Sequence, residues 1–305
     1  MILLSRRVFL ASAGLILPQA SSGAPAVVVS SKLDLEGAVL GEMMLLALKK
    51  ARIPAEDKLR LGPTAIVRRA LLSGAIDLCP EYTGNAAFFF HQEDDPVWKD
   101  RQAGYERAAK LDYEQNKLVW LAPAPADNSW VIAVRERFAG EKSLRTMEDL
   151  AAFIREGNHI KLAASAEFVE SPAGLPAFEA AYGFKLSARE LLVLSGGETS
   201  ATMKAAADGI SGVNAAMAYA TDGGLKALGL RALEDTRRAE PVYAPAPVMR
   251  EAAFAAFPET GAVLGEVFAK LDTVNLRALN EKIAVEGLGA SAAGEEFLRA
   301  HGLLR

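Results

Sequence analysis

Strands and helices alternate along this chain of 305 residues, which predicts a layered α/β fold built on parallel sheet. Two observations carry that expectation. Between residues 27 and 83, short apolar runs rich in β-branched residues are separated by helical segments with recognisable starts and stops. From residue 130 the same pattern begins again, so a second domain is expected.

Val27 to Ser31 forms a buried strand that delivers Lys32 to its end. A helix from about Glu36 to Ala51 follows. Its Met43, Met44, Leu45, Leu46 and Leu48 spread over too wide an arc for a surface helix, so it should be covered on most sides. Lys58 to Leu61 is a second strand candidate, and Gly62-Pro63 turns the chain. Thr64 is placed to cap a helix that runs through Ile66, Val67, Ala70 and Leu71 to a stop at Gly74. Ile76 to Cys79 is the next buried strand, leading into Pro80-Glu81-Tyr82-Thr83-Gly84.

In the second half a strand is expected at Trp130 to Val134, then a helix from the capping-box sequence Thr146-Met147-Glu148-Asp149 to about Glu156. A strand at Ile160 to Ala164, a helix at Thr199 to Ala207 and a strand at Ala215 to Tyr219 continue the pattern. Pro241 to Pro247, with prolines at 241, 245 and 247, should not be a central strand or a helix throughout. It suits a segment that crosses between domains or lines a cleft.

Composition narrows the chemistry. The 34 Lys plus Arg against 38 Asp plus Glu give a net charge of −4. A mildly acidic chain without a basic run lacks the footprint for nucleic acid or anionic lipid. Cys79 is the one cysteine, and His91, His159 and His301 lie far apart, so no disulfide, metal site or cofactor is expected.

The first 26 residues read as a cleaved export signal: Arg6-Arg7, an apolar run from Val8 to Leu17 too short to span a bilayer, then small residues to Ala26. Ser5-Arg6-Arg7-Val8-Phe9-Leu10 resembles a twin-arginine motif with Ala11 in place of the usual Lys; an ordinary secretory signal is the alternative. Without Arg6 and Arg7 the balance is 32 against 38, a net charge of −6. With no Cys after the apolar run, an unanchored protein in a Gram-negative periplasm is expected.

In open α/β sheets, ligands sit beyond the carboxyl ends of strands. Lys32, Tyr82, Thr83, Trp130, Tyr219, Thr221, Asp222 and Tyr243 all fall at expected strand ends, strand starts or in the Pro-rich crossing. Converging Tyr and Trp rings attract a quaternary ammonium, each ring contributing roughly 0.5–2 kcal/mol. Three or four rings supply a good part of the ~8 kcal/mol that micromolar binding requires. A strand-end lysine such as Lys32 can hold the carboxylate of a zwitterion. Each residue also has a plainer reading as packing. Cys79, the run Phe88-Phe89-Phe90, Trp98 and Trp120 are assigned to packing, and Gly196-Gly197-Glu198-Thr199 to a turn with an N-cap.

These segments resemble the osmoprotectant-binding proteins of ABC importers, the ProX/OpuBC group, most closely its OsmF branch. The matching stretches are SSKLDLEGAVLGEMM, LGPTAIVRRALLSGAIDLCPEYTGNAAFFF, NKLVWLAPAPADNSWVIAVR, KLAASAEFVE, LPAFEAAYGFKL, SGVNAAMAYATDG and VYAPAPVMRE, in family order over nearly the whole chain after the leader. The resemblance implies a type II-like periplasmic-binding-protein fold: two three-layer α/β lobes joined by a hinge, with ligand between them. Lobe one would hold residues 27–127 plus 240–305, and lobe two residues 128–239. Tyr82, Trp130, Tyr219 and Tyr243 fall where family members box a trimethylammonium group, Lys32 where a carboxylate is held, and Thr83 beside the box.

The implied role is capture of a small cationic or zwitterionic solute by hinge closure and delivery to ABC permease subunits, by a monomer without catalysis. Sensing by the same closure is an alternative; a periplasmic enzyme would need a nucleophile and base that the sequence does not offer. Three departures bear on the solute. SKLDLEG stands where many relatives read SKNFTEQ, Cys79 replaces a common Tyr, and no residue here is matched to the Arg that some betaine binders use for the carboxylate, the nearby segment offering Glu167 and Glu170 instead. An acid facing the cleft would favour a plain cation over a zwitterion.

Overall fold

The computed structural model describes residues 26–194 and 199–304. Its ten strands are β1 Val27–Lys32, β2 Ala55–Gly62, β3 Leu78–Tyr82, β4 Leu118–Trp120, β5 Trp130–Arg135, β6 Leu162–Ser165, β7 Leu191–Leu194, β8 Ala215–Tyr219, β9 Leu230–Ala232 and β10 Pro245–Arg250. They form two five-stranded sheets, ordered β2-β1-β3-β10-β4 and β7-β6-β8-β5-β9. Each sheet anchors one lobe of a two-lobe α/β fold.

The sheets are mixed, where parallel sheet was expected. β1 runs parallel to β2 and β3, but β10 is antiparallel to both β3 and β4. In the second lobe β6 is parallel to β7 and β8, while β5 is antiparallel to β8 and β9. The reason is the double crossing of the chain: each crossing adds a strand that enters from the opposite end.

The first helix, Leu35–Lys50, is buried along most of its length, as its broad apolar composition requires. Val39, Leu40, Met43 and Leu48 pack with Leu264, Phe268, Leu276 and Leu298 from the C-terminal helices. At Gly294 the approach is tight: a side-chain carbon there would lie 2.9 Å from Met43 Cγ. Asp34 caps this helix by accepting from the Gly37 N–H at 2.6 Å.

The helix Thr64–Ser73 ends as expected on Gly74, at φ +77°, but Thr64 is its first residue and makes no cap; Pro63 holds the N-cap position. β2 begins at Ala55, before the apolar signal, because its ladder with β1 recruits Ala55, Glu56 and Asp57 at an exposed sheet edge. β3 is displaced toward Tyr82. Asp77 remains outside it, accepting from Val28 N and from the Arg250 guanidinium.

Pro245 and Pro247 do lie in a central strand, contrary to expectation. They stand opposite Tyr82 and Pro80 in the β3 ladder, and their carbonyls accept from Ala124 N and Leu121 N on the other side. No backbone N–H is demanded where proline has none, so the ladder tolerates them. Residues 241–244 before them form the irregular crossing that was anticipated.

Trp98 and Trp120 are buried packing residues, as is Cys79, whose thiol burial pushes well above its ordinary range. Phe89 lies beneath the Arg68 guanidinium and Phe90 joins the same core, but Phe88 is largely exposed and departs from the packing assignment. The capping box forms as expected, with Thr146 Oγ1 accepting from Asp149 N and Asp149 accepting from Thr146 N. The leader residues 1–25 and the turn Gly196-Gly197-Glu198 lie outside the described residues. Among the described residues no helix is long and apolar enough to cross a membrane.

Candidate functional site

Two chain segments join the lobes and lie against each other. Asn128 N donates to Tyr243 O, Tyr243 N to Asp127 Oδ1, and Ser129 Oγ to the same carboxylate oxygen. The candidate residues gather around this crossing.

On the second lobe, antiparallel register sets Trp130 of β5 opposite Tyr219 of β8. Their rings stack at 6.3 Å and 23°, and Phe168 meets Trp130 edge-on at 5.4 Å. Tyr243 comes from the crossing segment, its ring lying flat over Gly84. A side-chain carbon at Gly84 would sit 2.7 Å from that ring, so the glycine is what admits it. Trp130, Tyr219 and Tyr243 are half-buried. Burial holds all these phenols neutral: Tyr219 is pushed up to about 12, and Tyr243 further.

On the first lobe, Tyr82 is buried at the end of β3 and its hydroxyl donates to Glu36 Oε1 at 2.6 Å. Burial pushes Tyr82 well above its ordinary range, with the charge of Glu36 adding to it. The charge of Asp34 acts on both Tyr82 and Tyr219, one from each lobe, and that of Glu167 acts on Tyr219 and Tyr243. The aromatic residues thus feel the charge of a carboxylate from each lobe, Asp34 and Glu167.

Lys32 lies 2.7 Å from Glu81 Oε1 and 4.5 Å from the centroid of the Tyr82 ring. That carboxylate oxygen also accepts from Tyr82 N and Asn85 Nδ2. The ammonium is already paired, and it occupies one face of a ring expected to receive ligand.

Thr83 is engaged structurally. Its hydroxyl donates to Val242 O at 2.7 Å and accepts from Ala244 N at 3.1 Å, tying β3 to the crossing segment. Asp222 closes its own turn by accepting from Tyr219 N at 2.8 Å. Thr221 is buried and faces the crossing, where its hydroxyl donates to Asn128 Oδ1 at 2.7 Å.

Sequence reasoning missed Glu36, Asn128, Glu240 and Asn280. Glu36 looked like an ordinary acidic residue in a first helical turn, yet it is only 6% exposed and accepts from Tyr82, Asn128 and Asn280. Burial raises its pKa, and hydrogen bonds including those from Tyr82 and Asn280 hold it back. Glu240 is buried beneath Trp130, one oxygen accepting from Trp130 N at 3.2 Å and the other without a partner; burial pushes its pKa well up. Trp130 Nε1 is likewise buried without a hydrogen-bond partner. A surface cavity of about 420 Å³ opens elsewhere, between Glu136, Lys226, Arg231 and Arg277, and has no aromatic lining.

Two α/β lobes, crossed twice by the chain and with aromatic side chains gathered where they meet, make this a two-lobed solute-binding protein. Residues 25–300 match OpuAC, the substrate binding domain of ABC-type glycine betaine transport systems, and the chain belongs to that family. It is similar to the glycine betaine-binding protein YehZ of Escherichia coli K12, at 51% identity over 295 residues, 97% of this chain and 95% of that protein. The solved structure of apo YehZ from Escherichia coli matches with a TM-score of 0.82, covering 92% of this chain and 100% of that one. A glycine-betaine-binding protein of Pseudomonas aeruginosa PAO1 is 29% identical over 250 residues, 80% of this chain and 78% of that protein. These relatives are binding proteins.

Proposed function

We propose that this chain captures a small quaternary-amine osmoprotectant, glycine betaine, choline or a relative, between its lobes and passes it to the membrane permease of an ABC importer. The observation that carries the reading is the stacked pair Trp130 and Tyr219 on lobe two, beside the crossing segment that carries Tyr243 and within electrostatic reach of Asp34 and Glu167. Neutral phenol and indole faces attract a cation that cannot donate a hydrogen bond, and the two carboxylates add long-range attraction.

In this reading lobe one is residues 27–127 plus 240–305 and lobe two is residues 128–239, a division supported by the membership of β10 in the first sheet and β5 to β9 in the second. Trp130, Tyr219 and Tyr243 contact the ammonium group. Tyr82 completes the wall from lobe one, and Thr83, Thr221 and Asp222 position it. The protein works as a periplasmic monomer, reached through the twin-arginine-like leader, and performs no catalysis. Closure shifts the population because ligand touches both lobes in the closed form.

A second reading concerns specificity. Lys32 is already paired with Glu81, and the charge of Glu167 acts on Tyr219 and Tyr243. Both favour a plain cation such as choline over a zwitterion whose carboxylate would need a free positive partner. Isothermal titration with glycine betaine, choline, carnitine and proline betaine tests both readings. Heat with at least one quaternary amine supports the first, and tighter binding of choline than of glycine betaine supports the second. Absence of heat with all four overturns the substrate class.

A further inference from the structure

We propose that Glu36 is the positioning residue that couples the aromatic wall of lobe one to closure against lobe two. Its contacts form a closed circuit. Glu36 Oε1 accepts from Tyr82 OH at 2.6 Å and from Asn128 Nδ2 at 3.0 Å, and Oε2 accepts from Asn280 Nδ2 at 2.7 Å. The same Asn280 nitrogen donates to Thr221 O at 2.9 Å, and Thr221 Oγ1 donates to Asn128 Oδ1 at 2.7 Å. The circuit thus runs from the first helix to the helix Thr273–Ala284, across to the loop after β8 in lobe two, and back through the crossing segment.

Each partner is fixed by what it can donate. Asn280 Oδ1 is buried without a hydrogen-bond partner, so the orientation of that amide is set by its two acceptors, one on each lobe. Turning it over would place oxygen against two oxygens. The two carboxyl oxygens of Glu36 offer enough lone pairs to receive three donors from three directions without conflict. Glutamine would present an N–H₂ group to at least one of those donors.

Independent contacts at the same seam show how closely the lobes meet there. A side-chain carbon on Gly223 would lie 2.1 Å from Glu281 N, so the loop after β8 sits directly on the helix backbone. Arg277 Nε donates to Ala220 O at 3.0 Å beside it. Loss of the Glu36 acceptors therefore releases Tyr82 on one side and the Asn280 link to Thr221 on the other.

The proposal rests on the reading of the cleft as the ligand site. Its test combines titration calorimetry, with glycine betaine and choline as probes, and small-angle scattering of the ligand-free protein. Glu36→Gln is expected to weaken whichever amine binds by at least about tenfold and to enlarge the radius of gyration. Asn280→Leu, which leaves the Tyr82 contact in place, is expected to enlarge the radius in the same way, and it carries the test if Glu36→Gln fails to fold. Unchanged affinity and unchanged dimensions overturn the proposal; so does weakened affinity without any opening, because the coupling is then absent. If the parent protein binds neither amine, the ligand reading fails, and the scattering comparison alone decides whether Glu36 and Asn280 hold the lobes together.

Discussion

Lys32 and Glu81 form a buried ion pair at 2.7 Å at the base of the cleft, with the ammonium 4.5 Å from the centre of the Tyr82 ring. Breaking such a pair from one side leaves an uncompensated charge, whereas replacing both partners removes the desolvation cost with it. Lys32→Met should therefore destabilise the protein by about 3 kcal/mol. The double variant Lys32→Met/Glu81→Gln should recover at least half of that loss. Urea unfolding of the two variants checks this; equal losses would mean that the pair does not act as a unit.

Arg68 and Asp112 provide a second buried pair, remote from the cleft. The guanidinium meets both carboxylate oxygens at 2.7 and 2.5 Å, and Trp120 Nε1 donates to the same carboxylate at 2.8 Å. Arg68→Leu should cost about 3–5 kcal/mol in unfolding free energy while leaving solute affinity in the folded protein unchanged. A matching loss of affinity in calorimetry would contradict the separation of this pair from the site.

Glu240 makes stability depend on pH in a defined direction. Burial raises its pKa in the folded protein above the ordinary 4.5, so the folded form holds a proton that the unfolded chain releases as pH passes that value. Its contribution is fully present below pH 4.5 and is lost as pH rises toward the folded pKa. Glu240→Gln, which carries no such proton, should melt above the parent at neutral pH, with the difference closing as pH falls toward 4.5. Thermal melts across that range check it; a constant difference would contradict the assignment.

Much of the lobe architecture was legible because burial and period coincide in the sequence. Ala215 to Tyr219 is a strand at those residues, and the helices over Leu35–Lys50 and Thr199–Asp208 lie within a residue of their expected limits. β4, β7 and β9 carry only three or four residues each and gave no period to read. β10 was obscured by prolines whose missing donors face a side of the ladder that needs none. The four aromatics proposed to line the cleft were singled out because strand ends are where ligands sit. Glu36, Asn128 and Asn280 were not, because their meaning lies in a circuit that joins residues 36, 128, 221 and 280, and no local pattern records it.

Trp130 and Tyr219 test the central claim most directly, because their stacked rings belong to lobe two and neither side chain takes part in the Glu36 circuit. The decisive measurement is calorimetric titration of the parent protein and of Tyr219→Ala with glycine betaine and with choline. The account expects saturable binding of at least one amine to the parent, weakened about tenfold or more in the variant by loss of one cation–π face. Equal affinity in both proteins, or no binding to the parent, would contradict an aromatic cation site between the lobes.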